Sequence, residues 1–224
     1  MKTTKLTFIA VALLFAGIAR AQTNYTFSSG TLNTVIPDAN PVGISSSTVI
    51  GIDPNASAIT SVQVNLNITG GFNGDLYAYL AGPVGQFAVL LNRVGVTSGN
   101  PFGYFDAGFN ITLDSSGPNI HNYQSGSYTL SSGQLIGNWS ADGRNISPLS
   151  APAIFDSAST AANLASYNGT TANGTWTLFI ADLSGGGQST LVSWGLTVST
   201  VPEPQTWAML ASGAAMLVAL RRRR

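Results

Sequence analysis

The sequence predicts an all-β jelly-roll or Greek-key β-sandwich, flanked by an N-terminal signal peptide and a C-terminal transmembrane helix. Three observations lead there. Apolar residues recur with a period of two in many short runs, the spacing of strands whose successive side chains point to opposite faces. Between those runs stand glycine, serine, threonine and asparagine, with 25 glycines and only 8% charged residues in 224, a composition suited to short strands and many turns. The two ends differ from this body, each carrying basic residues beside an apolar run.

At the N-terminus, Lys2 and Lys5 precede an apolar stretch over 6–19, and Ala19-Arg20-Ala21 forms a small-x-small cleavage pattern. Residues 1–21 therefore read as a signal peptide removed by signal peptidase between Ala21 and Gln22. Residues 22–43 form an N-terminal strand and linker region, with weak strand candidates over 25–36 and a turn at 37–41. The main domain is predicted over 44–199.

Within that domain residues 59–68 alternate most cleanly. Val62, Val64, Leu66 and Ile68 share one face, opposite Ser61, Gln63, Asn65 and Asn67, as in an antiparallel sheet with one wet side. Further strands are predicted at 47–52, 76–80, 86–91, 109–113 and 127–130. Residues 94–108 read as loop and 138–165 as irregular, with a helical turn over 158–165. Residues 173–198 close the domain as a predicted antiparallel hairpin. Trp176, Leu178 and Ile180 share one face of its first strand, and Val192, Trp194, Leu196 and Val198 one face of its second. The glycine-rich stretch 183–189 joins the two, and Trp176 and Trp194 are the expected core anchors.

Charge is segregated along the chain. Between residues 22 and 200 Arg93 and Arg144 stand against eight aspartates, leaving about minus six on a chain whose total is zero. A body of that sign excludes nucleic-acid binding, which needs a basic surface. Without cysteine neither disulfides nor thiolate metal sites can form.

Residues 200–224 form a tail of three parts. Val201-Pro202-Glu203-Pro204 breaks secondary structure through its two prolines. A membrane helix is predicted over 206–220, and Arg221, Arg222, Arg223 and Arg224 close the chain, as where a membrane segment ends in the cytoplasm. The apolar run is shorter than the roughly 20 residues of a full span, which suits a transient anchor. In this order the three parts resemble a PEP-CTERM sorting signal. That resemblance implies a Gram-negative bacterium and an exosortase that cleaves at or near Pro202, Glu203 and Pro204. It also implies a final place at the cell surface or outside the cell after a transient inner-membrane stage.

A second resemblance lies in the body. Gly74-Asp75-Leu76, Leu80 and Gly82-Pro83-Val84-Gly85 are similar to a segment of the P domain, or Homo B domain, which accompanies subtilisin-like proprotein convertases. Phe105-Asp106, Phe109 and Leu113-Asp114 follow its second block loosely. Residues 164–169 (LASYNG), 172–178 (ANGTWTL), Asp182 and 191–196 (LVSWGL) match its third closely. The sequence departs from that family at Gly70, Gly71 and Phe72, where a His-Thr-aromatic triplet is usual. The resemblance covers roughly 44–198 and implies a jelly-roll fold, with stabilisation of a catalytic partner as the family's role.

Catalytic residues are scarce. A Ser-His-Asp site needs a histidine to carry the proton, and the single histidine, His121, sits in a polar loop at 117–122 with no G-x-S-x-G motif nearby. It reads as an exposed loop histidine. Asp53, Asp75, Asp142 and Asp182 sit beside glycine, proline or asparagine or at strand ends, where turn formation is the expected role. Calcium is the one ion such an acidic exported chain invites, with Asp75, Asp106, Asp114 and Asp182 as candidate ligands; no other cofactor is expected. Tyr77 and Tyr79 are expected to be exposed and to offer rings to a glycan.

Together these observations predict a non-catalytic surface or extracellular-matrix module that binds polysaccharide, such as exopolysaccharide, or a surface protein. The alternative is an accessory module for a subtilisin-like serine endopeptidase engaged in proteolysis.

Overall fold

The computed structural model describes residues 22–51, 58–201, 213–215 and 221. The signal peptide, the Pro202–Pro204 motif and the membrane helix, apart from residues 213–215, lie outside them, as do Arg222 to Arg224. Among the described residues no helix is long and apolar enough to cross a membrane.

Eleven strands are described: β1 (Thr23–Ser28), β2 (Thr34–Ile36), β3 (Asn40–Ile50), β4 (Ile59–Gly70), β5 (Leu76–Ala81), β6 (Phe87–Asn92), β7 (Gly108–Asn119), β8 (Thr129–Ser131), β9 (Gln134–Ser140), β10 (Gly174–Asp182) and β11 (Ser189–Thr200). A short helix, α1, spans Pro152–Phe155, and residues 213–215 and 221 are also helical. The strands form a larger sheet in the order β1-β11-β4-β7-β9-β8, with β2 also paired to β11, and a smaller one in the order β3-β10-β5-β6. All pairs are antiparallel except β7 with β9. Residues 23–36, through β1 and β2, are bonded to β11 and so belong to the larger sheet.

The alternation in β4 appears as expected, with Val62, Val64, Leu66 and Ile68 buried. The two sheets share one core, to which β10 contributes Trp176, Leu178 and Ile180 and β11 contributes Leu191, Trp194, Leu196 and Val198. Trp194 Nε1 donates to Ser46 Oγ on β3 at 2.8 Å, a side-chain hydrogen bond between the two sheets. Its ring lies 5.0 Å from that of Phe27 on β1. Trp176 Nε1 donates to the Ala172 carbonyl at 2.9 Å, and its ring meets Tyr167 at 4.9 Å. The Tyr167 hydroxyl in turn donates to the Leu80 carbonyl on β5. Each large ring thus has a partner for its polar end, the condition for burying tryptophan or tyrosine cheaply.

Three strand expectations are corrected. First, β10 and β11 form no hairpin: β10 pairs with β3 and β5, and β11 with β1, β2 and β4. The stretch 183–188 carries the chain from one sheet to the other. Its close approach to the end of β4 depends on Gly70 and Gly71, both at positive φ; a Cβ on Gly71 would fall 2.0 Å from Ser189 Oγ. Second, Val192 is not on the inner face of β11. Leu191 pairs with Ile68 and Ser193 with Asn67, so Val192 is the extra residue of a β-bulge, and its carbonyl accepts from Leu32 and Asn33. The bulge shifts the alternation by one, placing Leu191 in the core. Third, 138–165 is not irregular from its start, because β9 continues to Ser140. The expected turn over 158–165 is replaced by α1 and a 3-10 turn over Leu164–Tyr167.

Both tryptophans are nearly or wholly inaccessible, at 0% for Trp176 and 2% for Trp194. Trp194→Ala is expected to destabilise the protein by about 3–5 kcal/mol, the range for truncating a buried aromatic ring. Ser46→Ala, which removes only the inter-sheet acceptor, should cost about 1 kcal/mol. Urea denaturation of the full chain measures both, and equal losses would contradict the packing role of the Trp194 ring.

Candidate functional site

His121 is buried, not exposed, with 0% accessibility. It lies in the 3-10 turn Ile120–Ser125 that follows β7, and the Asn119 side chain caps that turn by accepting from the His121 N–H. Its Nδ1 is 2.7 Å from Asp142 Oδ2, and its Nε2 is 3.0 Å from the Val96 carbonyl. Both ring nitrogens are therefore engaged. Asp142 also accepts from the Asn92 backbone N–H, and from the backbone N–H and Nη1 of Arg144. Arg144 Nε donates to the Phe155 carbonyl in α1, and the Phe155 ring lies parallel to His121 at 6.0 Å. The Asn92 amide donates to the carbonyls of Arg144 and Ile146. Hydrogen bonds thus join the end of β6, the loop after it, the turn after β7, the stretch after β9 and α1.

This network lays the stretch after β9 along the free edge of β6. The N–H groups of Asp142 and Gly143 donate to Leu90 and Val89, while Val89 donates to Ala162 and Ala162 to Gly143. Covering an edge in this way removes a row of unpaired backbone groups. Toward the start of β6 a groove of about 560 Å³ opens, lined among others by Gln86, Phe87, Asn145, Ile146, Ser159 and Ser166. No charged side chain lines it. Gln86, one of the lining residues, has its Oε1 buried without a hydrogen-bond partner among the described residues, and Asn145 is exposed.

Phe87 joins the groove to an aromatic patch on the outer face of the smaller sheet. Its ring meets Tyr79 edge-on at 6.4 Å. Tyr79 stacks on Phe179 of β10 at 4.8 Å with planes 19° apart, and Tyr77 lies 6.3 Å from Phe179. Tyr77 and Tyr79 are half-buried rather than exposed, and one face of Tyr79 is taken by Phe179. Phe87 is the ring of this patch that lines the groove.

The four aspartates proposed for calcium lie in three places. Asp182 lies opposite Leu76 across the β10–β5 pair, and Asp75 stands next to it, its carbonyl accepting from the Leu183 N–H at 2.9 Å. Asp106 accepts from the Tyr123 hydroxyl and the Gln124 amide, both at 2.7 Å. Asp114 accepts from Ser116, Gly117 and Asn138; burial pushes its carboxyl up, but these bonds hold it below the usual carboxylate range. Among the described residues no three acidic or histidine side chains stand close enough to hold a metal ion. The four do not converge on one site. Asp142 and Asp182 do make the expected turn contacts, accepting from the N–H groups of Arg144 and Ser184.

Sequence reading missed the His121–Asp142–Arg144 network and the groove. Asp142-Gly143-Arg144 is legible as a turn, but nothing in the chain marks its pairing with a histidine 21 positions earlier. No known protein family and no curated protein matches the chain. Among solved structures it is similar to the Aeromonas sobria serine protease in complex with the chaperone ORF2, at 16% identity and a TM-score of 0.45, covering 87% of this chain and 29% of that one. It is likewise similar to the serine protease of Aeromonas sobria alone, at 16% identity and a TM-score of 0.43, covering 81% and 27%. The chain spans less than a third of the length of either matched chain.

Removing His121 leaves Asp142 and the Val96 carbonyl short of a partner in a dry interior. His121→Ala is therefore expected to destabilise the fold by about 3–5 kcal/mol, read by chemical denaturation; a change below 1 kcal/mol would contradict the anchoring role. A pH effect follows from Asp182. Burial, and then the charges of Asp75 and Asp38, push its carboxyl up to about 6, against the lowering pull of the Ser189 hydroxyl and the Ser184 N–H. Burial likewise raises Asp75. The folded state then binds more protons than the unfolded chain between its ordinary value of 3.8 and about 6. This contribution to stability is full below the lower value and lost as pH rises through the upper one. Asp182→Asn is expected to flatten that fall in a pH series of melting temperatures, and an unchanged slope would exclude Asp182 as its source.

Proposed function

We propose that this chain is an exported, non-catalytic module of jelly-roll type, related in fold to the P or Homo B domain, that binds polysaccharide or protein at the cell surface or in the extracellular matrix. The observation that carries this reading is the position of His121. The sole histidine of the chain is sealed in the interior with both ring nitrogens bonded, where it cannot take a proton from a serine nucleophile. The open concave feature it helps to hold is instead an uncharged groove, suited to binding.

Export rests on the two ends of the sequence. Signal peptidase would release Gln22 as the new N-terminus. The C-terminal helix would hold the chain in the inner membrane until an exosortase cut at or near Pro202, Glu203 and Pro204, with Arg221 to Arg224 holding the end in the cytoplasm.

A second reading is an accessory module for a subtilisin-like endopeptidase, and it rests on the resemblance of residues 164–196 to the P domain. Tyr167, Trp176 and Trp194, from the block most similar to the P domain, all lie in the core, so the similarity concerns what holds the fold together.

Expression of the full chain in an exosortase-bearing host, followed by cell fractionation and intact-mass measurement, tests the sorting. The expected product lies at the surface or in the medium and lacks both termini. Replacing Pro202, Glu203 and Pro204 with alanine should leave the longer form in the inner membrane. Incubated with a peptide library, the full chain is expected to show no turnover, and turnover lost in His121→Ala would overturn the non-catalytic reading.

A further inference from the structure

We infer that the groove beside the start of β6 binds an uncharged polysaccharide chain, with Gln86 and Asn145 hydrogen-bonding to sugar hydroxyls and Phe87 packing against a pyranose face. The inference rests on the binding role proposed above and names the ligand class for it.

Four features of the groove select this occupant. Its polar lining is amide and hydroxyl only: Gln86, Asn145, Ser159 and Ser166. Such groups match a ligand that carries hydroxyl donors and acceptors and no charge. Gln86 is only half-buried as a residue and its Oε1 is buried without a donor, so turning that amide outward to a sugar hydroxyl in the groove removes the cost of an orphaned acceptor. One wall is apolar, with the Phe87 ring braced from outside by Tyr79, which suits the C–H face of a sugar ring. Charge excludes the anionic alternatives. Arg144 is adjacent in sequence to Asn145, but its guanidinium is committed to Asp142 and the Phe155 carbonyl and is nearly buried. With no cation free in the groove and a body near minus six, a uronic-acid or phosphorylated polymer would be repelled.

The groove is also held in place before any ligand binds. Asn145 and Ile146 stand on the stretch that the Asn92 amide and Asp142 pin to β6. Ser166 Oγ donates to the Phe87 carbonyl at 3.2 Å, joining the opposite wall. Little ordering is then left to oppose binding.

Affinity electrophoresis of the full chain through gels containing dextran, laminarin, arabinogalactan, alginate or hyaluronan tests the inference. Retardation by at least one of the three neutral polymers and by neither acidic one is expected. Gln86→Ala and Asn145→Asp should each weaken that retardation by about tenfold, the effect of losing one good hydrogen bond, without lowering the melting temperature. Phe87→Ala should weaken it as much or more. Retardation by the acidic polymers alone, by none of the five, or to the same extent in all three variants overturns the inference. Capture of an uncharged extended peptide in place of glycan overturns it too, while leaving the broader binding role intact. Hydrolysis of the bound polymer would instead overturn the non-catalytic reading itself.

Discussion

The burial of the Trp194 ring between the two sheets, with its indole N–H bonded to Ser46 on the opposite one, is the constraint on which the rest of the structure depends. Leucine, isoleucine and valine side chains fill most of the space between the two sheets, and the largest rings lock that packing. Trp176 and Trp194 are the largest of the buried side chains, one from each sheet. Each brings an indole N–H that must find an acceptor once dry. Trp176 finds the Ala172 carbonyl just ahead of its own strand. Trp194 finds a hydroxyl on the opposite sheet, so satisfying the ring also sets the two sheets against each other.

Around that core the irregular segments are ordered by polar contacts. His121, Asp142, Arg144 and Asn92 are all buried, and together they hold the connections that follow β6, β7 and β9. A buried ionic cluster is weak grounds for claiming net stability, since hydrophobic replacements can serve as well. Here its consequence is geometric. It lays the stretch 142–143 along β6, closes that edge, and leaves a groove where the cover ends. The residue that most resembles a catalytic group thus acts as a positioning element for a surface that contains no acid or base.

The strand pattern was legible to the extent that alternation was uninterrupted. Residues 59–68 were read with the correct inner face because nothing breaks their period of two. In β11 one bulge residue, Val192, reversed the reading ahead of it, and no sequence signal announces a bulge whose purpose is to receive Leu32 and Asn33. In β9 the alternation of Leu135 with Trp139 was obscured by Gly137 and Asn138, which look like turn residues. Asp75 and Asp182 lie at strand ends, and the structure brings those ends together, with Asp182 opposite Leu76 and the Leu183 N–H donating to the Asp75 carbonyl. Asp106 and Asp114 flank a candidate strand in the sequence, yet each answers to different local donors.

Local chemistry let the sequence by itself determine the all-β class, the inward tryptophans and the segregation of charge, because a period of two and a residue's polarity need no knowledge of distant neighbours. Only the tertiary structure decided that residues 173–198 cross between two sheets instead of folding into a hairpin, and that His121 lies inside. A strand chooses its partners by shared burial with segments far away in sequence, as β10 does with β3 and β11 with β4. A histidine's environment is likewise set by whatever packs over it, here Asp142, Val96 and Phe155. The groove belongs to the same class of outcome, since its two walls meet only once β6 has been covered.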